Sequence, residues 1–260
     1  MTGMSRHATL DLLQTIAEII TRLEAIITEC AAANDRAGYF AVLYHRVTKE
    51  VAASIARGEF EDGARMEQLD VNFANHYIRA YEQWRAGRAP VASWRLAFEA
   101  AADRLPLVLQ HLLLGMNAHI NFDLGLASFE TMKGCDLEDL HSDLNEINRI
   151  LGNMIALVEN RLTRVNPLLR LLHLRWIRSD DLLVRFSIEA AREGAWQFAL
   201  ELNQKDDRES AACVQRRDAL IAALGQTIAR PCTLSLRLMI QLIRLFEPRK
   251  VTAVIDLLAD

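Results

Sequence analysis

The stretch that decides the fold is Leu112-Leu113-Leu114-Gly115-Met116-Asn117-Ala118-His119-Ile120-Asn121-Phe122-Asp123-Leu124-Gly125-Leu126. A helix advances about 100° per residue, so angular position follows from spacing. Plotted that way, apolar side chains occur on every face, which is the signature of a helix buried in a core rather than laid on a surface. A core that encloses one helix needs others around it, and the flanking sequence supplies them. Leu12, Leu13, Ile16, Ile19, Ile20, Leu23, Ile26 and Ile27 trace one apolar face at helical period. Asn34-Asp35 ends that segment, and further helices are predicted over about Arg36–Ala56, Arg65–Arg85 and Trp94–Ala102, the last opened by Ser93 as N-cap. Pro106 suits the first turn of the central helix, which continues to about Met132 with bending expected at Gly115 or Gly125.

Beyond Gly134 the pattern continues as Leu137–Val165, a piece opened by Pro167, Asp181 to Gln204, Asp207–Ala229, Thr233–Phe246 and Lys250–Leu258. The prolines stand between helices, and no run alternates as a strand would. The expected fold is all-α, one irregular bundle of nine to eleven helices. It divides into an N-terminal helix over residues 1–35, a motif-bearing core over 36–165 and C-terminal helices over 166–260, all in one domain.

Composition narrows the function classes. With 51% hydrophobic residues in 260, the chain can bury a sizeable core. A net charge of −4 carries no strong nucleic-acid footprint; basic residues cluster locally at Arg216-Arg217 and Arg249-Lys250, with acids close by. The apolar stretches Leu105–Met116 and Leu234–Phe246 fall short of the roughly 20 residues that span a bilayer. Met1–Leu10 lacks a secretory pattern, and Cys30, Cys135, Cys213 and Cys232 form no C-x-x-C pair. They read as free, mostly buried thiols, and the expected location is the cytoplasm.

Candidate chemistry comes from polar residues that a core should not contain. His119 and Asp123 stand four apart on the central helix and project roughly 40° from one another, close enough to share a proton or a ligand. Asn117 and Asn121 form a second such pair on another face and read as core-organising hydrogen bonders. On the helix Arg65–Arg85, Asp70 shares the face of Phe73, Tyr77, Tyr81 and Trp84. Asp143 borders the apolar stripe of its own helix, and His45 lies among small residues. His76 falls on a solvated face.

Two functions follow. One is a hydrolase-type enzyme in which His119 and Asp123 are catalytic. A divalent metal ion, the candidate cofactor, would be held by His119, Asp123, Asp70, Asp143 and His45; without metal, His119 oriented by Asp123 would act as general base. The other is a binding module for an apolar or amphipathic small molecule lined by Phe73, Tyr77, Trp84 and Met116, with the His/Asp/Asn residues as a structural network. The expected partner is a small molecule in either case; nucleic acid and a transmembrane segment are not expected, and oligomeric state is open. The apolar C-terminal helix Thr233–Phe246, with Arg237 and Arg244, is read as packed on its own domain rather than on a membrane.

The strings Tyr44-His45-Arg46-Val47-Thr48, Leu69-Asp70-Val71-Asn72-Phe73-Ala74, Ser93-Trp94-Arg95-Leu96-Ala97-Phe98 and Leu112 to Leu124, with Phe186 to Trp196 later, resemble a bacterial family catalogued as a domain of unknown function. The resemblance covers most of the chain from about Phe40 and implies an all-helical bacterial protein, without a substrate, cofactor or catalytic assignment. A looser likeness is to helical zinc-dependent phospholipases and nucleases, which also place His and Asp at i,i+4 on buried helices. The chain departs from these in having no second His-rich string and no N-terminal Trp ligand.

Overall fold

The computed structural model describes residues 12–166, 168 and 188–259. The piece opened by Pro167 and the first part of the Asp181–Gln204 helix lie outside them. Among the described residues the fold is all-α with no strand: α1 Ile16–Ala33, α2 Ala37–Ala56, α3 Gly63–Arg85, α4 Ala92–Ala102, α5 Val108–Ala118, α6 Leu124–Thr131, α7 His141–Val165, α8 Ile188–Asn203, α9 Asp207–Ala229, α10 Leu234–Arg244 and α11 Val251–Ala259. A 3₁₀ turn, Leu137–Leu140, leads into α7.

Local sequence sets the helix ends. Thr15 accepts from Glu18 N–H while the Glu18 carboxylate accepts from Thr15 N–H, a reciprocal cap that starts α1 after Leu12 and Leu13 rather than through them. Asn34 ends α1 in the left-handed region at φ 54°, where an Asn is among the few side chains tolerated.

The start of α4 corrects the expected Ser93 cap. Ser93 sits inside the first turn, and the orphan N–H groups of Ala92 and Ser93 are taken by the Asp218 carboxylate of α9, at 2.6 and 2.9 Å. A carboxylate from another helix meets both the hydrogen-bonding need and the positive end of the α4 dipole. The start of α5 is handled in the same way, two residues later than Pro106: Glu247 accepts from Val108 N–H, and Gln110 accepts from Leu107 N–H.

The continuous rod α5–α6 is the centre of the molecule. It packs against α2, α3, α4, α8 and α9, and the buried cluster around it runs from Ile19 and Leu23 of α1 to Val254 and Leu258 of α11. Its two glycines permit close approach rather than bending. A Cβ on Gly115 would lie 2.5 Å from the Phe40 ring, and one on Gly125 would lie 2.8 Å from the Ala195 carbonyl of α8. The irregularity is instead a π turn over His119–Asp123, where Leu124 N–H reaches back five residues to the His119 carbonyl.

On the outer side of this turn Arg217 donates twice to the Asn121 carbonyl, at 3.1 and 3.0 Å. Asn121 donates to Asn117 Oδ1, and Asn117 donates to the Ile221 carbonyl. This Asn pair therefore ties the rod to α9. Asn166, at the end of α7, is buried and donates to the Ile243 carbonyl of α10. The four cysteines are free; Cys30 and Cys213 are buried but Cys135 and Cys232 are exposed, so half rather than most are core thiols.

Candidate functional site

The π turn matters because insertions of this kind into α-helices gather at functional sites and re-aim the side chains they carry. Here it carries His119 and Asp123. His119 Nδ1 lies 3.0 Å from Asp123 Oδ2, and the Trp94 indole Nε1–H of α4 donates to the same oxygen at 2.8 Å. Asp123 is 1% exposed and cut off from bulk solvent, and two donors converge on one of its oxygens. The acceptor fixes the imidazole tautomer: Nδ1 carries the hydrogen, and Nε2 is left with its lone pair. Burial pulls the pKa of His119 below its usual value, against the opposing pull of Asp123, so the ring is neutral near pH 7.

Five aromatic rings enclose that imidazole. Phe73 of α3 stacks on it at 3.5 Å between centroids and 5° between planes. Tyr44 of α2 meets it edge-on at 4.3 Å, and Phe40, Trp94 and Tyr77 stand at 5.6, 6.0 and 6.2 Å. The helical repeat explains the supply: Phe40, Tyr44 and Thr48 are successive i,i+4 positions on α2, and Asp70, Phe73 and Tyr77 share one stripe of α3. Gly115, one turn before His119, is what allows the Phe40 ring to reach this wall.

Several polar atoms among these rings lack partners, as do Arg65 Nε, Ser93 Oγ and both His111 ring nitrogens elsewhere in the core. His119 Nε2, Tyr77 Oη and Asp70 Oδ2 are buried with no hydrogen bond, and the buried Tyr44 and Thr48 hydroxyls have only each other within reach. Burial, with a smaller contribution from Glu67, raises the Asp70 carboxyl to about 7. Burial and then the Asp70 charge hold the Tyr44 hydroxyl well above its ordinary range. These groups therefore present a neutral base at Nε2, hydroxyl donors, and a carboxyl that is half protonated near neutral pH.

Of the residues singled out from the sequence, the structure brings together His119, Asp123, Phe73 and Tyr77; Asp70 is buried close enough for its charge to act on Tyr44, and Asp143, His45 and Trp84 lie elsewhere. Asp143 is buried but engaged: Arg65 Nη2 pairs with one oxygen at 2.5 Å and Glu61 N–H donates to the other at 2.7 Å, tying α7 to the start of α3. His45 faces Glu24 of α1 at 3.1 Å, near the surface. The proposed five-ligand metal set is thus not assembled, and among the described residues no group of three or more His, Cys, Asp or Glu side chains is placed to hold a metal ion. Trp84 stacks on Phe98 rather than beside His119. Met116 is half-buried against the same core as Phe73. His76, placed on a solvated face, is largely covered and bonds Glu130 of α6 at 3.0 Å.

Sequence reasoning missed Trp94, Tyr44, Phe40 and Thr48. Trp94 left a usable signal, because a buried indole N–H needs an acceptor and an unpaired buried carboxylate needs a donor. A cavity of about 40 Å³ on the α1–α3 seam, lined by Leu13, Arg22, Asn75 and Glu82 among others, involves none of these groups.

The ion pair of Asp143 makes a prediction separate from the His119 cluster. Asp143→Ala is expected to lower the unfolding free energy by about 2–3 kcal/mol, below the usual cost of breaking a buried pair because Arg65 is near enough to the surface to regain water. Urea unfolding of the two proteins measures it. A difference under about 0.5 kcal/mol, the ordinary surface value, would show that the pair contributes nothing net.

Fold and site together describe a helical-bundle protein with an aromatic-walled His–Asp–Trp arrangement on a π turn of its central helix. The chain belongs to the Family of unknown function (DUF5995), whose profile matches residues 16–231. That span includes every residue of the His119 cluster and stops ahead of α10. Neither the curated proteins nor the solved structures contain a match to the chain.

Proposed function

We propose that the protein is an acid–base enzyme of hydrolase type that takes a small hydrogen-bonding substrate into the cluster around His119. The observation that carries this reading is a group of buried polar atoms around the His119 ring, Nε2 itself, Tyr77 Oη, Asp70 Oδ2 and the Tyr44 and Thr48 hydroxyls, that bond no group outside their own number. Native cores leave few such atoms, because each costs about 1–3 kcal/mol. A cluster of them is best accounted for by an occupant that completes their hydrogen bonds. The same atoms favour a polar occupant over an apolar one, which would complete none of these bonds.

The chemistry follows from the tautomer. With Nδ1–H held by Asp123, Nε2 accepts a proton from a water molecule as that water attacks a bound ester, amide or phosphoester, and afterwards returns it to the leaving group. Asp123 orients the ring and stabilises the imidazolium that forms. The Tyr44 and Tyr77 hydroxyls are the donors available to a developing oxyanion. No metal enters this scheme, because Asp143 and His45 of the candidate ligand set are engaged with Arg65 and Glu24.

The test combines turnover and stability. Wild-type protein is screened against small ester, amide and phosphoester substrates, with thermal shift recorded for each compound. The reading expects at least one compound to be turned over, with loss of about 100-fold or more in His119→Gln while circular dichroism stays native. It expects Tyr77→Phe to weaken binding yet leave the free protein as stable or up to about 1 kcal/mol more stable, since an unpaired hydroxyl is removed. A panel with no turnover and no thermal shift, together with destabilisation by Tyr77→Phe, would assign the cluster to core packing.

A further inference from the structure

We propose that the outer face of α10 is a docking surface for an anionic lipid bilayer. The helix has two apolar faces. Leu236, Ile240 and Ile243 point inward and are buried, as packing on its own domain requires. On the opposite side Leu234, Leu238 and Leu242 recur every fourth residue and are 69, 58 and 49% exposed; Leu245 and Phe246 extend the stripe at 74 and 61%. An exposed helix normally carries polar residues on that side, so a row of leucines facing water needs a partner. Leu105, 70% exposed, adjoins the same end of the helix, since Arg244 Nε donates to the neighbouring Arg104 carbonyl.

Charge decides the kind of partner. From Ala219 to Lys250 the basic residues are Arg230, Arg237, Arg244, Arg249 and Lys250, and the one acid is Glu247. Glu247 is buried and occupied by Val108 N–H and Arg244, so it does not offset the cations at the surface. Arg104, Arg230, Arg237, Arg249 and Lys250 are exposed and form no ion pair among the described residues. The acid nearest in sequence to Leu105 is Asp103, which accepts the Leu105 N–H. An apolar stripe bordered by unpaired cations matches an interface of acyl chains beneath anionic headgroups.

The stripe runs along the helix axis, so α10 would lie in the plane of the surface. Among the described residues no single helix is long and apolar enough to cross a membrane; α9 and α10 meet that length and composition only as a pair bent by 68°. The proposal does not depend on the His119 chemistry.

The experiment is flotation of the full chain with vesicles of phosphatidylcholine alone and of equal parts phosphatidylcholine and phosphatidylglycerol. Wild type is expected to partition at least about tenfold more strongly onto the anionic vesicles, and the gain should fall with added salt. The triple substitution Leu234→Gln, Leu238→Gln, Leu242→Gln should lose about 100-fold or more of that partitioning with its thermal unfolding little changed, because about half or more of each side chain already faces water. Arg249→Gln with Lys250→Gln should weaken binding to anionic vesicles only. Absence of binding to either vesicle, or binding that the leucine substitutions leave intact, overturns the proposal. So does a wild-type dimer that the triple variant converts to monomer without vesicles present, which would give the face to a second copy of the chain.

Discussion

Asp123→Ala is expected to lower the unfolding free energy by about 3–5 kcal/mol, a large fraction of the stability of most domains. Two buried donors share its Oδ2, the Trp94 indole N–H at 2.8 Å and His119 Nδ1 at 3.0 Å. Neither can turn to water, since Trp94 is 1% exposed and His119 2%. Each orphaned donor costs about 1–3 kcal/mol, and truncation adds a small cavity. The desolvation cost of the carboxylate disappears in the variant and offsets part of this, which is why the full sum is not expected.

Asp123→Asn separates the contributions. It keeps an acceptor oxygen of the same shape and is expected to lose about 1–2 kcal/mol, the difference between a charge-assisted and a neutral hydrogen bond. Chemical denaturation of the three proteins gives both numbers. Nitrogen chemical shifts of the His119 ring report the tautomer: mainly Nδ1–H in wild type, a mixture in Asp123→Ala. An alanine variant as stable as wild type would mean that the arrangement returns no more than its own desolvation cost.

The same pair shows what could be read from the chain before any coordinates and what could not. Spacing says which residues share a face: His119 meets Asp123 across one helical turn, and Asn121 meets Asn117 in the same way. An apolar surface on every side of residues 112–126 correctly required a central helix. Spacing does not say what a face meets. Spacing puts Asp143 at the border of an apolar stripe; in the fold it is buried, and its partner Arg65 lies 78 residues away on another helix. His45 shared its side of α2 with alanines because α1 approaches there, and Glu24 comes with it.

Trp84 continues the Phe73–Tyr77 stripe, yet eleven residues of helix carry it about 16 Å along the axis, past the imidazole and onto Phe98. The π turn left no local mark at all. Its glycine neighbours pointed to a bend, whereas they admit Phe40 and α8, and the extra reach of Leu124 N–H is sustained by long-range partners such as Arg217.

Asp70 gives the second large effect, and its sign runs opposite to that of a salt-bridged carboxylate. Its pKa is raised from 3.8 to about 7, first by burial and then by Glu67. Between those values the folded chain holds a proton that the unfolded chain has released, so the unfolding free energy must fall as pH rises through that window. A separation of about 3 units corresponds to about 4 kcal/mol lost between pH 4 and pH 8.

Asp70→Asn cannot ionise and should remove that slope, leaving the variant less affected by alkaline pH than wild type. Glu247, also raised to about 7 by burial against the lowering effect of Val108 N–H, contributes a slope of the same sign in both proteins. The informative quantity is therefore the difference between wild type and Asp70→Asn, measured by denaturant unfolding at several pH values. A difference that does not change with pH would mean that the carboxyl ionises freely in the fold. If the cluster takes a hydrogen-bonding occupant as proposed, a donor placed on Asp70 Oδ2 favours the ionised form and draws the pKa back down. Binding would then release protons near pH 7 in wild type and fewer in Asp70→Asn. Titration of the Asp70 carboxyl carbon with and without an occupant would thus connect the stability profile directly to the chemistry of the site.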